Sequence, residues 1–223
     1  MSFDLKRGEL LSLVGPSGCG KSTALRLIAG LTVPSAGRIN WDGERPRTGF
    51  VFQDAALMPW ATVADNVRLP LDLEGRGDGA ARKVSAALDL VGLGTFARAY
   101  PRALSGGMRM RVSIARALAA DAELLLMDEP FAALDEITRE RLNDELRALW
   151  TSRGLTIVFV THSIYESVYL SSRIVVLGAR PGRVVADLAM NEPLARTPDY
   201  RLSSDYGDRC RAVRGALEQG GVA

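Results

Sequence analysis

Residues 15 to 22 read G-P-S-G-C-G-K-S, between the apolar run LLSLV (10 to 14) and the helix-like stretch STALRLIAG, which stops at Gly30. No other part of the chain restricts its folding as much. A full match to G-x-x-x-x-G-K-[S/T] in this context asks for a buried strand, a loop almost free of side chains, and a helix whose N-terminus faces the strand end. Gly15, Gly18 and Gly20, set around Pro16, Ser17 and Cys19, let backbone N–H groups converge on one anion without steric obstruction. The helix starting near Lys21 points its partial positive end at the same place. Lys21 adds a full charge toward the terminal phosphates, Ser22 offers a hydroxyl to Mg²⁺, and Thr23 follows in the first helical turn. A loop of this kind is built to hold a nucleoside triphosphate.

The remaining chain alternates apolar runs with helical patterns, which predicts an α/β fold with helices on the faces of a sheet. LLSLV, GFVF (49 to 52), ELLLMD (123 to 128) and LTIVFVT (155 to 161) read as strands. The last two are apolar on consecutive residues, as expected of strands buried on both faces. Residues 135 to 150 read as a helix capped by Asp135, because Leu142, Leu146, Leu149 and Trp150 fall at i, i+4, i+7 and i+8. Two β-branched runs around ARPG (179 to 182) predict a hairpin over 173 to 188. Strand signals vanish between 54 and 104, where helical spacing is broken by Pro and Gly, a candidate helical insertion. The division expected is a core of 1–53 and 118–188, a helical subdomain of 54–117, and a polar tail of 189–223. That tail carries a short amphipathic pattern on Cys210, Val213, Ala216 and Leu217 and reads as frayed or partner-bound.

The 223 residues suffice for one substantial core, and 28 Lys and Arg against 26 Asp and Glu leave a formal charge of only +2. A charge so close to zero carries no general electrostatic attraction to nucleic acid. Two cysteines, Cys19 and Cys210, cannot build a disulfide framework, and a reducing compartment fits them. Cys19, inside a loop at a helix N-terminus, is where a thiol is activated, which predicts oxidation sensitivity. No apolar stretch approaches the roughly 20 residues that span a bilayer, and MSFDLKRGE lacks a signal-peptide core.

Several polar residues stand at predicted strand ends, where open α/β sheets bind their ligands. Asp128 and Glu129 close ELLLMD; the first suits holding Mg²⁺ or its bound water, the second general-base or water-orienting work. His162, the only histidine, directly follows LTIVFVT and is placed to donate to a γ-phosphate or an attacking water. Gln53 ends GFVFQ with an amide that can ligate Mg²⁺ or orient water but cannot act as a base. A second glycine cluster, Ser105, Gly106 and Gly107, opens a long helical run with a good N-cap, a second anion-ready helix start.

In this combination and order the chain resembles the nucleotide-binding subunits of ATP-binding cassette (ABC) transporters. GPSGCGKST resembles the family's Walker A, Gln53 its Q-loop, LSGGM (104 to 108) its signature, LLLMD its Walker B, Glu129 its catalytic glutamate, ALD (133 to 135) its D-loop, and His162 its switch histidine. The likeness covers residues 5 to 188. It implies a P-loop NTPase core with a mixed, mainly parallel sheet and an inserted helical subdomain, ATP and Mg²⁺ as cofactors, and ATP hydrolysis. It further implies a head-to-tail pair of such subunits, in which Ser105, Gly106, Gly107 and Asp135 complete the partner's ATP site. Catalysis would then fall to Glu129, His162, Gln53 and Lys21, and the metal to Ser22, Gln53 and Asp128.

PWATVADNVRLPL (59 to 71), THSIYESVYLSSRIVVL (161 to 177) and ARPGRVVAD (179 to 187) resemble the nitrate, sulfonate and taurine importer branch. The resemblance implies a peripheral subunit on the cytoplasmic face of the bacterial inner membrane. Its partners would be a second ATP-binding subunit, a homodimer, then a transmembrane permease and, indirectly, a solute-binding protein, with no nucleic acid. Two other readings compete. A soluble ABC-type ATPase acting on nucleic acid or ribosomes would need a long coiled coil between Lys21 and Ser105, or a second cassette, and neither is present. A small-molecule kinase has no use for LSGGM. One departure stands out. Only 20 residues precede Lys21, so two edge strands and the adenine-stacking aromatic usual upstream are missing. Phe3 is the only aromatic there and reads as part of a strand. The expectation is a mis-assigned or truncated start, or a site that grips ATP mainly through its phosphates.

Overall fold

The protein is described by a computed structural model over residues 1 to 179, 182 to 190 and 196 to 221. In chain order its elements are β1 (Leu10–Val14), α1 (Lys21–Ile28), β2 (Thr48–Val51), α2 (Val63–Leu73), α3 (Ala80–Leu90), α4 (Gly106–Ala119), β3 (Leu124–Asp128), α5 (Glu136–Arg153), β4 (Thr156–Thr161), α6 (Ile164–Leu170), β5 (Arg173–Leu177), β6 (Val184–Ala189) and α7 (Ser204–Gln219). The strands form one sheet in the order β2-β3-β4-β1-β5-β6. Pairs β2/β3, β3/β4, β4/β1 and β1/β5 are parallel, and only β5/β6 is antiparallel. The mixed, mainly parallel α/β sheet read from the sequence is the one observed.

Consecutive apolar residues in β3 and β4 are explained by helices on both faces. Leu125, Met127, Ile157 and Phe159 join Leu142, Leu146 and Trp150 of α5 in one cluster. Leu124, Leu126, Val158 and Val160 join Leu25 of α1 in another on the opposite side. Each such side chain contributes about 1.5–3 kcal/mol by leaving water, enough to pin the register, since a one-residue slip would exchange the two faces. Asp135 caps α5 by accepting from the Thr138 amide at 2.9 Å, as its sequence position predicts. Residues 54 to 104 contain no strand. There Val63, Val67 and Leu71 of α2 and Val84 and Leu88 of α3 pack on Val112, Ala115 and Ala119 of α4. The other face of α4, with Met110, Ile114 and Ala117, belongs to the sheet-side cluster, so α4 is shared by both cores.

Two expectations are corrected. Residues 196 to 221 are not frayed: α7 runs for 16 residues, capped by Ser203, and buries Tyr206, Cys210, Val213 and Ala216. They pack on Val168, Tyr169, Ile174 and Val176. Composition hid this, because the apolar stripe is narrow and much of the attachment is polar. Arg196 is buried and donates to the carbonyls of Tyr169 at 2.7 Å and Met190 at 2.9 Å, and Tyr206 Oη donates to Tyr165 O at 2.9 Å. The first part of the tail, 191 to 195, lies outside the described residues, as do residues 180 and 181 of the ARPG turn. The segment holding Phe3 is not a strand; its ring is half-buried against the cluster of Leu11, Leu25 and Leu177.

Candidate nucleotide site

Because β1 to β5 are mutually parallel, all five carboxyl ends lie along one sheet edge, and register aligns the residues that follow them. Val14 is paired with Thr161, which places the 15–22 loop beside His162. Asp128 is paired with Val160, and the Glu129 amide donates to Val160 O at 3.0 Å. On the far side Val51 is paired with Met127, so the loop carrying Gln53 leaves the same edge.

The 15–22 loop keeps the backbone its glycines suggest. Gly18 and Gly20 have φ of 76° and 103°, left-handed values open to glycine at little cost. At Gly15 the reason is space, since a Cβ would come within 2.7 Å of Leu177 O. Lys21 is buried, and its Nζ donates to the carbonyls of Gly15 at 2.8 Å and Pro16 at 2.9 Å. The ammonium is thereby folded back over the loop at the N-terminus of α1. Ser22 Oγ donates to Asp128 Oδ1 at 2.8 Å, joining loop and strand end. One hydroxyl and one carboxylate make a hard-oxygen pair. That set fits Mg²⁺, which is usually bound through one or two carboxylates together with substrate phosphates and water.

Glu129 sits apart from Asp128 in both backbone and partner. Its φ of 49° takes it out of the strand, a conformation costing a non-glycine residue about 1–3 kcal/mol and typical of functional sites. His162 Nε2 lies 2.5 Å from Glu129 Oε1, with the histidine half-exposed and the glutamate mostly covered. Behind His162, Thr161 Oγ1 donates to buried Glu166 and accepts from the Ser163 amide at 3.0 Å. Burial pushes the Glu166 carboxyl above the usual glutamate range, a shift opposed by its hydrogen bond from Thr161.

Gln53 is exposed, and among the described residues its side chain makes no hydrogen bond to Ser22 or Asp128. Ser105 caps α4, accepting from the Met108 amide at 3.3 Å. Gly106 and Gly107 press against the start of α5. A Cβ would meet Leu134 Cδ2 at 3.0 Å in the first case and Thr138 Cγ2 at 2.8 Å in the second. The Thr138 amide hydrogen bond holds the Asp135 carboxyl below its ordinary range. The second glycine cluster therefore packs beside the ALD segment. Among the described residues no hydrogen bond or ion pair joins it to the 15–22 loop.

Two features were not anticipated. Gly182 of the β5–β6 turn lies against the loop so closely that a Cβ there would come within 2.0 Å of Cys19 O; ARPG signalled a turn but not what the turn touches. Cys19 itself is only 4% exposed and packs with Leu11, Leu25 and Leu177. Burial in apolar surroundings makes a thiol inert, so the expected oxidation sensitivity is not supported.

Comparison with known proteins agrees with this geometry. The family profile described as ABC transporter matches residues 1–132. The aliphatic sulfonates import ATP-binding protein SsuB of Bacillus cereus is 40% identical over 227 residues, covering 100% of this chain and 88% of that protein. An uncharacterized ABC transporter ATP-binding protein of Methanocaldococcus jannaschii is 46% identical over 205 residues, 88% of this chain and 77% of that one. Among solved structures, a dimeric ATP-binding cassette in a post-hydrolysis state bound to ADP and Pi superposes with a TM-score of 0.73 at 35% identity, covering 85% of this chain and 89% of that one. With the strand–loop–helix phosphate site, the acidic strand end and the capped glycine helix in one chain, these likenesses establish that the protein belongs to the ABC transporter family and is an ATP-hydrolysing ATP-binding cassette.

Proposed function

We propose that this cassette powers a bacterial ABC importer for nitrate, a sulfonate, taurine or a related small solute. It works as a homodimer on the cytoplasmic face of the inner membrane, beneath a transmembrane permease fed by a solute-binding protein. One observation carries the reading. The chain presents two anion-ready helix starts, at Lys21 and at Ser105–Gly107, between which no hydrogen bond or ion pair runs among the described residues. Two copies arranged head to tail would bring each beside the other's partner site. The aliphatic sulfonate relative supports the importer branch, and among the described residues no helix is long and apolar enough to cross a membrane. We assign 1–53 and 118–188 to the ATP-binding core and 54–117 to the helical subdomain facing the permease. Residues 189–223 form the C-terminal segment.

In this reading the amides of residues 15 to 22 and the Lys21 ammonium hold the phosphates. Ser22, Asp128 and Gln53 would hold Mg²⁺, which would supply neutralisation of charge on the phosphate oxygens. Glu129 orients the attacking water and takes its proton, held in place by His162, whose other role is to donate toward the γ-phosphate. Ser105, Gly106 and Gly107 of the opposite copy grip the γ-phosphate, with Asp135 beside them. Loss of that phosphate on hydrolysis removes the contacts that favour the closed pair, and the pair opens.

Light scattering on Glu129→Gln with and without ATP and Mg²⁺ tests this. Removing the proton-accepting carboxylate leaves the phosphate contacts in place, so ATP should convert monomer to dimer and hold it there. A Glu129→Gln chain that binds ATP yet stays monomeric refutes the shared-site reading. Isolation of the chain with a permease from membranes, followed by uptake assays with sulfonates, taurine and nitrate, identifies the solute.

A further inference from the structure

The loop that follows β2 is held from outside by a residue of the signature helix. Arg116, on α4, donates from Nη2 to Ala55 O and from Nη1 to Ala56 O, each at 2.9 Å. Nη2 also lies 3.3 Å from Ser113 Oγ on its own helix. Among the described residues no carboxylate pairs with this guanidinium, so its charge is met by neutral carbonyl and hydroxyl dipoles. Burial accordingly pushes its pKa below the ordinary arginine value, a cost that a surface arginine avoids.

The clamped loop is itself unusual. Ala56 has a φ of 47°, and its amide is tied to Asp54 Oδ1 at 3.0 Å. A non-glycine residue stays in that region only when its surroundings hold it there. On the other side of Gln53, β2 touches the same helix: a Cβ on Gly49 would lie 2.6 Å from Ala117 Cβ. Gln53 is thus bracketed by two contacts to adjacent residues of α4, Ala117 before it and Arg116 after it. The same helix begins at Ser105–Gly107, about 15 Å away at 1.5 Å per residue, and nothing in α4 interrupts its hydrogen bonding between the two ends.

We infer that Arg116 is a positioning residue that ties the Gln53 loop to the signature helix, so that occupancy of the metal and γ-phosphate at Gln53 sets where Ser105–Gly107 are presented to the partner copy. This rests on the dimeric cassette proposed above. It assigns the link to a side chain that touches neither nucleotide nor metal. Two hydrogen bonds in a fork fix the loop in both position and direction, which a single-point donor such as lysine cannot do.

The test uses Arg116→Met and Arg116→Lys in the full-length chain carrying Glu129→Gln, with folding checked by thermal unfolding. Hydrogen exchange is read with and without ATP and Mg²⁺ at protein concentrations where scattering shows monomer only. In the parent, nucleotide should slow exchange in both 50–58 and 103–110. In Arg116→Met the slowing at 50–58 should persist within about twofold and that at 103–110 should disappear. The ATP midpoint for dimerisation should rise at least tenfold, while monomer ATP affinity stays within about twofold. Arg116→Lys, with one contact restored, should fall between, and it carries the test if the Met variant is unfolded. Slowing at both segments in folded Arg116→Met, or in Arg116→Lys to the full parental extent, overturns the inference, as does a parent whose 103–110 segment ignores nucleotide. A parent with linked exchange that never dimerises would refute the shared-site reading and leave the Arg116 link standing. A variant that dimerises like its parent would do the reverse.

Discussion

Replacing Gly182 with alanine probes the one contact at the phosphate loop that comes from a distant hairpin. The new Cβ would lie 2.0 Å from Cys19 O. Carbon-to-carbonyl contacts settle at about 3.3–3.6 Å, so loop or hairpin must retreat by ~1.4 Å. The clash is with a backbone oxygen that cannot rotate away, so the penalty is steric. Overpacking of this kind costs about 1–3 kcal/mol. If the loop yields, its amides leave the geometry that receives phosphate, and the cost appears as weaker nucleotide binding, a Kd raised about 5- to 150-fold at 1.4 kcal/mol per decade. If the hairpin yields, the cost appears in folding stability, since β5 and its Gly178 amide bond to Arg183 O lie directly behind. Titration calorimetry with ATP and thermal unfolding on the same preparation separate the two. A Gly182→Ala chain matching the wild type in both Kd and Tm would refute the claim that this turn braces the loop.

Val213→Ala tests the C-terminal helix: Val213 is fully buried, so urea unfolding should show a loss of about 2 kcal/mol, whereas a frayed tail would show none. Glu166→Gln tests the buried carboxyl behind His162. Its pKa is raised in the folded chain, so folding is favoured while it is protonated, and that contribution declines as pH climbs from the ordinary glutamate range toward the raised value. The wild type should therefore lose stability relative to Glu166→Gln as pH rises above the ordinary glutamate range; parallel stability curves for the two chains would contradict the assigned shift.

Much of the site was legible because its parts are local. Strand, glycine loop and helix are adjacent in sequence, so G-P-S-G-C-G-K-S implies its own geometry. Asp128, Glu129 and His162 stand directly at the ends of apolar runs, and the caps at Ser105 and Asp135 act within three residues. The parallel order of β1 to β5 then places their carboxyl ends on one edge, so motifs far apart in sequence meet without any long-range signal in the residues themselves.

What stayed hidden depends on surfaces that meet only after folding. The burial of Cys19 is decided by Leu177 and its neighbours. The docking of α7 is decided by its narrow apolar stripe meeting Val168, Ile174 and Val176, and that of the chain before it by Arg196, which finds the Tyr169 carbonyl at the end of α6. The close approach of Gly182 is decided by a hairpin turn about 160 residues downstream of the loop it touches. Arg116 reads in sequence as one more helical arginine, and only the packing of α4 over β2 turns it into a clamp on the Gln53 loop. Hydrophobic periodicity and turn chemistry are short-range and survive in the sequence; contacts to backbone carbonyls carry no side-chain signature on the accepting side, so tertiary structure alone reveals them.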